Sequence, residues 1–587
     1  MHSDRRRGLP ELMGARFSYG RKLQWLILPS TNKTPMSVSG FLHRQFDILV
    51  TSAVLLVSPA WANVAEIVSL NGRGETRPPQ ETQWREARVQ QYLDAGYFVR
   101  TGDQSSMALL FADKTQVRLA QNSLFQVKAA SGSPSQPTAL QLRQGRAWAQ
   151  AKSGPGRVQM ETPSAIAAIQ GTDWVMEVDE AGNTQLIVLH GEVHLFNAHG
   201  SVTVQSNEQA RVAPGQAPVK LILLNPADRV QWIGAYRVDA QAYPELRAAA
   251  VGGDPSLLGL SEMLRAQRLP EARSQLLVSV AEGPMPAVSY LLLADFALTD
   301  GRFDESGQWL DTGARQHPDD MRFVAQRARV ALLLGDVLQA RTLLETGLQR
   351  QPDGMELHLA RAELARYEGH SREARAAYAA AISKSPDDAR GWYGLGRVDS
   401  EREDPRSARP LLERALSLDA ALPGLRGELA TLETRSHRFE RARAQFAEAL
   451  RLQPDDYVAW TGLGLMQLQQ GETQAALDSL LRATVIEPRH ARAVVYKAVA
   501  YHQLGQQAVA LQTLAQAAEL DPLDPLPHQL AGLIHADRND LAQAVASARE
   551  AMRRLPYLKS LNQIANDQKG AANLGSALAA FGLEDWA

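Results

Sequence analysis

The chain has no cysteine among its 587 residues. That excludes disulfides, thiolate metal sites and a cysteine nucleophile, and it leaves the redox compartment open. Net charge is also missing. With 62 basic and 64 acidic side chains the balance is −2, so no global field recruits nucleic acid or a membrane surface. There is no G-x-x-x-x-G-K-S/T loop to cradle phosphates, no H-E-x-x-H pair and no G-x-S-x-G nucleophile turn. No apolar run approaches the ~20 residues that span a bilayer. The absences point away from an enzyme and call for no cofactor or metal.

What is present is a period. Pro284, Pro318, Pro352, Pro386, Pro454, Pro488, Pro522 and Pro556 share one register of 34 residues, which only Ala420 breaks. A strict period of this length is a helix–turn–helix unit copied in tandem. A small-residue column (Ala272, Ser306, Ala340, Ala374, Ala408, Ala442, Ala476, Ala510, Ala544) keeps the same beat and allows two helices to approach closely. Another column (Gly301, Gly335, Gly369, Glu403, His437, Gly471, Gly505, Asn539) falls between the helices, where a C-cap asks for left-handed backbone. Asp-Asp pairs at 319–320, 387–388 and 455–456 follow the prolines and read as N-caps rather than acid–base pairs. His528 and His535 lie two helical turns apart, and solvent-facing or groove-lining histidine is their default reading over metal binding.

These columns resemble the tetratricopeptide repeat. The best copy, 457–490, carries Trp460, Leu463, Gly464, Gly471, Ala476, Leu480, Ala483 and Pro488 at that family's spacings. Nine units are expected over 253–558, the first degenerate. The resemblance implies an all-α superhelical solenoid whose first helices line a concave groove. The inward positions in the middle units are charged or aromatic: Arg322, Arg329, Arg366, Arg390, Tyr393 and Arg397, with Glu356 and Glu363 among them. In the late units they turn apolar: Val458, Leu465, Leu468, Val495, Val499, His502, Leu526 and Leu533. An apolar strip in a solvent-facing groove suits an amphipathic helix or extended peptide. The alternative is that residues 559–587 or a second copy of the chain cover it. The ninth position of each unit holds no Asn, which argues against the carboxylate-clamp members of the family.

From 63 to 222 the helical period gives way to short runs punctuated by glycine, the pattern of a compact all-β domain. Val99-Arg100-Thr101-Gly102, Ala112 to Leu119, Thr162-Pro163, Ile169-Gln170-Gly171-Thr172-Asp173-Trp174, Leu189 to Val193 and Ala213 to Gln216 occur in the order of the FecR domain, which this segment resembles. The founding members of that family are envelope regulators with a cytoplasmic module, one membrane span and a periplasmic sensing domain. Too few residues precede the apolar core here for the cytoplasmic module.

Residues 36–62 read as a signal peptide, with an apolar core over 48–57 and an A-x-A site ending at Ala62. Residues 1–35 read as a mis-called or disordered extension, 223–252 as a linker with a helix, and 559–587 as a C-terminal helix or a truncated end. The expected function is that of a non-enzymatic periplasmic scaffold that binds protein partners, not nucleic acid, through the groove. The alternatives are an envelope signal-transduction component and a fragment of a larger protein with a further C-terminal domain.

Overall fold

The computed structural model describes residues 64–554, apart from 130–136, 152–157, 223–231, 233, 235, 239–241, 250–254 and 403. The expected signal peptide, the extension before it and the segment 559–587 lie outside the described residues.

Among the described residues, fifteen strands between Ala65 and Ile222 form one continuous hydrogen-bonded network. All pairings are antiparallel except that of Thr138–Gln150 with Val158–Glu161. Three long strands, Thr138–Gln150, Ile166–Val178 and Thr184–Asn197, carry the architecture because each changes partners along its length. Strand alternation then sorts the side chains. Ala147, Ala149, Trp174, Met176, Leu186 and Val188 point into the module's own core. Their neighbours Trp148, Val175 and Ile187 point the other way, yet each is at most 1% exposed. Both faces of this part of the sheet are therefore covered, which explains why Met107 to Phe111 and Leu186 to Val188 are uninterrupted apolar runs.

Nine helical hairpins follow between Pro255 and Arg554 among the described residues, preceded by a short helix at Pro244–Ala249. The repeat columns do the work their residue types imply. Every member of the Ala/Ser column is buried at 1% exposure or less. The inter-helix column adopts positive φ at Gly301, Gly335, Gly369, His437, Gly471, Gly505 and Asn539, two of them not glycine; Glu403 of the same column lies outside the described residues. In two of the three pairs the second aspartate is the N-cap of a first helix: Asp388 accepts from Arg390 N, and Asp456 from both Val458 N and Ala459 N, while Asp320 stands one residue before the N-cap Met321 and accepts from Arg322 N. No helix among the described residues is long and apolar enough to cross a membrane.

The outward sheet face packs on late repeats. Val68, Ala108, Leu110, Trp148, Val175 and Ile187 share one apolar cluster with Leu477, Leu481, Val485 and Ile486 of the helix Thr473–Ile486. Polar groups fix the docking. Arg118, only 5% exposed, donates to Ile486 O at 2.5 Å and to Gly234 O at 3.1 Å, so a sheet arginine caps the C-terminus of that helix. Burial pushes its pKa down to about 10, against a rise from Glu487. Arg482 pairs with Glu66 at 2.8 Å, and Lys114 pairs with Asp478. The module also reaches the early repeats, where Gln104 donates to Asp300 at 2.7 Å.

Candidate functional site

The concave face is built by the first helices of successive hairpins, and the first part of it is filled by the chain itself. Tyr236 and Tyr243, from the segment between the two domains, donate to Oδ1 and Oδ2 of Asp295 at 2.9 and 2.5 Å. Asp295 occupies a ninth, inward position. Gln326 joins the same oxygen and the Tyr236 hydroxyl, and Arg322 pairs with Glu245 of the short helix at 2.6 Å. Sequence periodicity could not reveal this, because a connecting segment carries no repeat.

Beyond that filled end, the charged positions form a ladder across neighbouring first helices. Arg329 pairs with Glu363 at 2.9 Å and Glu356 at 3.2 Å, and Arg390 shares Glu356 at 2.6 Å while holding its own cap Asp388. Arg366 pairs with Glu401 at 2.5 Å, and Arg492 reaches the same carboxylate at 3.4 Å from a repeat 91 residues further on. Burial would raise the Glu401 pKa, but Arg366, Arg492 and Arg397 outweigh it and hold the group well below the usual carboxylate range. His490 reports the opposite side of the same field. Burial, together with Arg492, Arg397 and Arg366, pushes its pKa down to about 3.

Arg397 stands apart from the other inward arginines. Among the described residues it makes no ion pair and its Nε has no hydrogen-bond partner, and its guanidinium lies over the Tyr393 ring at 5.3 Å. Tyr393 and Arg397 are both part-buried, neither sealed nor fully open.

The late positions depart from expectation. Leu465, Leu468, Val495 and Leu526 are 8%, 7%, 0% and 8% exposed and belong to the large apolar cluster, so they do not present a solvent-facing strip. Helix Tyr457–Gln470 packs on Ala491–Gln503, and that helix packs on Leu526–Asp537, so successive inner faces bury one another. Val458 and Val499 are part-buried, and His502 sits 3.5 Å from Asp537. Of the eight, Leu533 alone is exposed, at 40%. The apolar chemistry that reads as a peptide-binding strip is instead the material of the array's own core.

Comparison with known proteins agrees with this architecture. The FecR protein family model matches residues 97–194, and the tetratricopeptide repeat model matches 359–424, 428–487 and 474–525. The chain thus carries a FecR domain followed by a tetratricopeptide array. Superkiller protein 3 of Schizosaccharomyces pombe is 32% identical over 88 residues, 15% of this chain and 6% of that protein. A Cell division cycle protein 27 homolog of Caenorhabditis elegans is 30% identical over 99 residues, 17% of this chain and 13% of that protein. The chain therefore spans only a small part of these curated relatives. Among solved structures, the APC/C hetero-tetramer Cut9-Hcn1 gives a TM-score of 0.42 at 15% identity, over 60% of this chain and 69% of that one. Yeast Tom70 gives 0.35 at 16% identity, over 62% and 82%. A tetratricopeptide array is a protein-interaction fold, and a FecR domain is a regulatory one.

Proposed function

We propose that the protein is a non-catalytic scaffold that holds a protein partner on the concave face around Tyr393 and Arg397, with the FecR domain acting as a sensing module fixed to the late repeats. The observation that carries this reading is Arg397. The inward arginines around it are paired directly with internal carboxylates, whereas its guanidinium is stacked on an aromatic ring and feels Glu401 and Glu428 only at longer range. Such a group is available to a partner, and Tyr and Arg are the side chains that dominate protein–protein contacts. The apolar late positions are not the contact in this reading.

The scaffold works in the cell envelope, exported by the signal at 36–62 and cleaved after Ala62. The FecR match also supports the second reading, an envelope signal-transduction component.

Two measurements test the proposal. A photo-cross-linking amino acid at position 393 should trap a discrete protein partner in cells, and the same group at the outer position Leu338, which is 74% exposed, should not. Equal labelling at both sites would remove the concave face from consideration. Mass spectrometry of the mature chain should find Asn63 at its start; a retained leader would refute export by cleavage.

A further inference from the structure

The FecR stretch Gly171-Thr172-Asp173 is a β-bulge. The pairing of Ile166–Val178 with Thr184–Asn197 runs in register to Gln170, skips, and resumes at Asp173 opposite His190. Gly171 and Gly191 face each other across it at φ +63° and +85°, and a Cβ on Gly191 would lie 2.5 Å from Thr172 Cγ2. Asp173 itself stays in the ladder, opposite His190 and Gln150, and its side chain lies on the face toward the helices Ala491–Gln503 and Gln507–Leu520. Between the sheet and these helices lies a cavity of about 250 Å³, lined by Gln150, Thr172 and Asp173 on one side and Lys497, Gln512 and Gln516 on the other.

Two ionisable groups of opposite charge type are buried in its walls without pairing, whereas the other charged lining groups are more exposed and have partners, Lys114 with Asp478 and His190 with Glu519 at 3.4 Å. Asp173 is 6% exposed and Lys497 is 3% exposed. Lys497 Nζ donates to Gln150 Oε1 at 2.9 Å, one bond for a group with three donors. Asp173 Oδ2 accepts from Gln516 Nε2 at 3.3 Å; among the described residues Oδ1 and the Thr172 hydroxyl meet no hydrogen-bond partner within bonding geometry, although the nearby Trp148 indole favours the charged form of Asp173. No ion pair joins Asp173 to Lys497, although each favours the charged form of the other. Burial pushes Asp173 up to about 7 and Lys497 down to about 8, as expected of charges that have lost water without gaining a counter-ion.

A ligand that fits must satisfy both groups. An anion would leave Asp173 unpaired, a cation would leave Lys497 unpaired, and a sugar would neutralise neither. A molecule carrying one ammonium and one carboxylate compensates both at no net charge. With a water occupying about 30 Å³, the space takes the volume of roughly eight waters, the scale of a free amino acid. The neighbouring glutamines supply donors and acceptors for a polar side chain.

We propose that this cavity binds a small zwitterion of the α-amino-acid class, its ammonium on Asp173 and its carboxylate on Lys497. Because one charge belongs to the sheet and the other to the repeats, the ligand bridges the two domains and its binding strengthens their docking.

Calorimetry and thermal unfolding of the full chain with the standard L-α-amino acids in turn test this, with acetate, ethylammonium and glucose as separate arms. At least one amino acid should give a saturable heat and a rise in Tm, and the three other compounds should give neither. Asp173→Asn and Lys497→Met should each weaken binding about tenfold or more while far-UV circular dichroism stays unchanged. Silence across all amino acids, comparable binding by any of the other three compounds, or undiminished affinity in folded Lys497→Met would overturn the proposal. If the variants fail to fold, the comparison of compounds on the unaltered chain decides it.

Discussion

Replacing Ile187 by Asp should separate the two domains without unfolding either. Ile187 is fully buried, and its side chain lies in the apolar cluster shared with the helix Thr473–Ile486, whereas the adjacent Leu186 lies in the module's own core. Truncating a buried Ile to Ala costs about 2–5 kcal/mol. A carboxylate buried in this apolar cluster adds an effective desolvation penalty of several kcal/mol. The sum is comparable to the whole stability of a domain, about 5–15 kcal/mol. Undocking is the cheaper escape, because it returns the charge to water while leaving the inner face of the sheet closed. Hydrogen exchange by mass spectrometry and solution scattering on the full chain read the outcome. Exchange should rise in Thr473–Ile486 and the radius of gyration should grow, while Ile166–Val178 stays protected. Leu186→Asp should instead abolish protection in the strands. Identical behaviour of the two variants, or an unchanged profile for Ile187→Asp, would refute the assignment of the faces.

Other outcomes follow from single side chains. Gly462→Ala would ordinarily stabilise a helix by about 1 kcal/mol, but here the added carbon meets the Thr431 hydroxyl and sits 2.8 Å from the Phe446 ring. The variant should therefore be destabilised by about 1–3 kcal/mol in thermal unfolding. Arg118→Met removes charged hydrogen bonds to the helix carbonyls, each worth about 1.5–3 kcal/mol, and also the cost of burying the guanidinium; a net loss of about 1–2 kcal/mol in Tm-derived stability is expected. Asp173 sets a pH dependence. In the folded chain it keeps its proton up to about pH 7, whereas an unfolded carboxyl releases it near ~3.9. The folded state binds more protons between those values, so this group's contribution to stability falls as pH rises through that window. In Asp173→Asn the difference from the unaltered chain should grow steadily from pH 4 to 7 in the variant's favour; a pH-independent difference would contradict the burial of an unpaired carboxyl.

The sequence made the repeats legible because several columns had to agree. Small residues at the helix crossing, left-handed backbone at the turn and aspartate caps each have one physical reason to recur, and the structure places them in those roles at Ala476, Gly471 and Asp456. The FecR stretch was legible as a string of residues, but its geometry was not: a bulge depends on pairing across strands, and nothing local marks Asp173 as facing a helix. The late inward positions misled for a related reason. Hydrophobicity at Leu465 and Val495 says that these side chains avoid water, and a tightly wound array meets that demand with its own neighbouring helices. One signal was overlooked. Apolar runs such as Leu186-Ile187-Val188 imply a sheet covered on both faces, and so a partner domain for the outer one. The docking of Tyr236 and Tyr243 on Asp295 had no sequence signature, since it joins a unique segment to one copy of a repeat.

The central claim is that the FecR sheet is fixed against the late repeats of the same chain. Zero-length carbodiimide coupling tests it directly, because three lysine–carboxylate ion pairs provide one readout and two controls. Lys128–Glu161 lies within the sheet module, Lys384–Asp353 within the array, and Lys114–Asp478 between them. Mass spectrometry should find all three amide cross-links within single chains. Recovery of the two internal links without 114–478 would contradict the account.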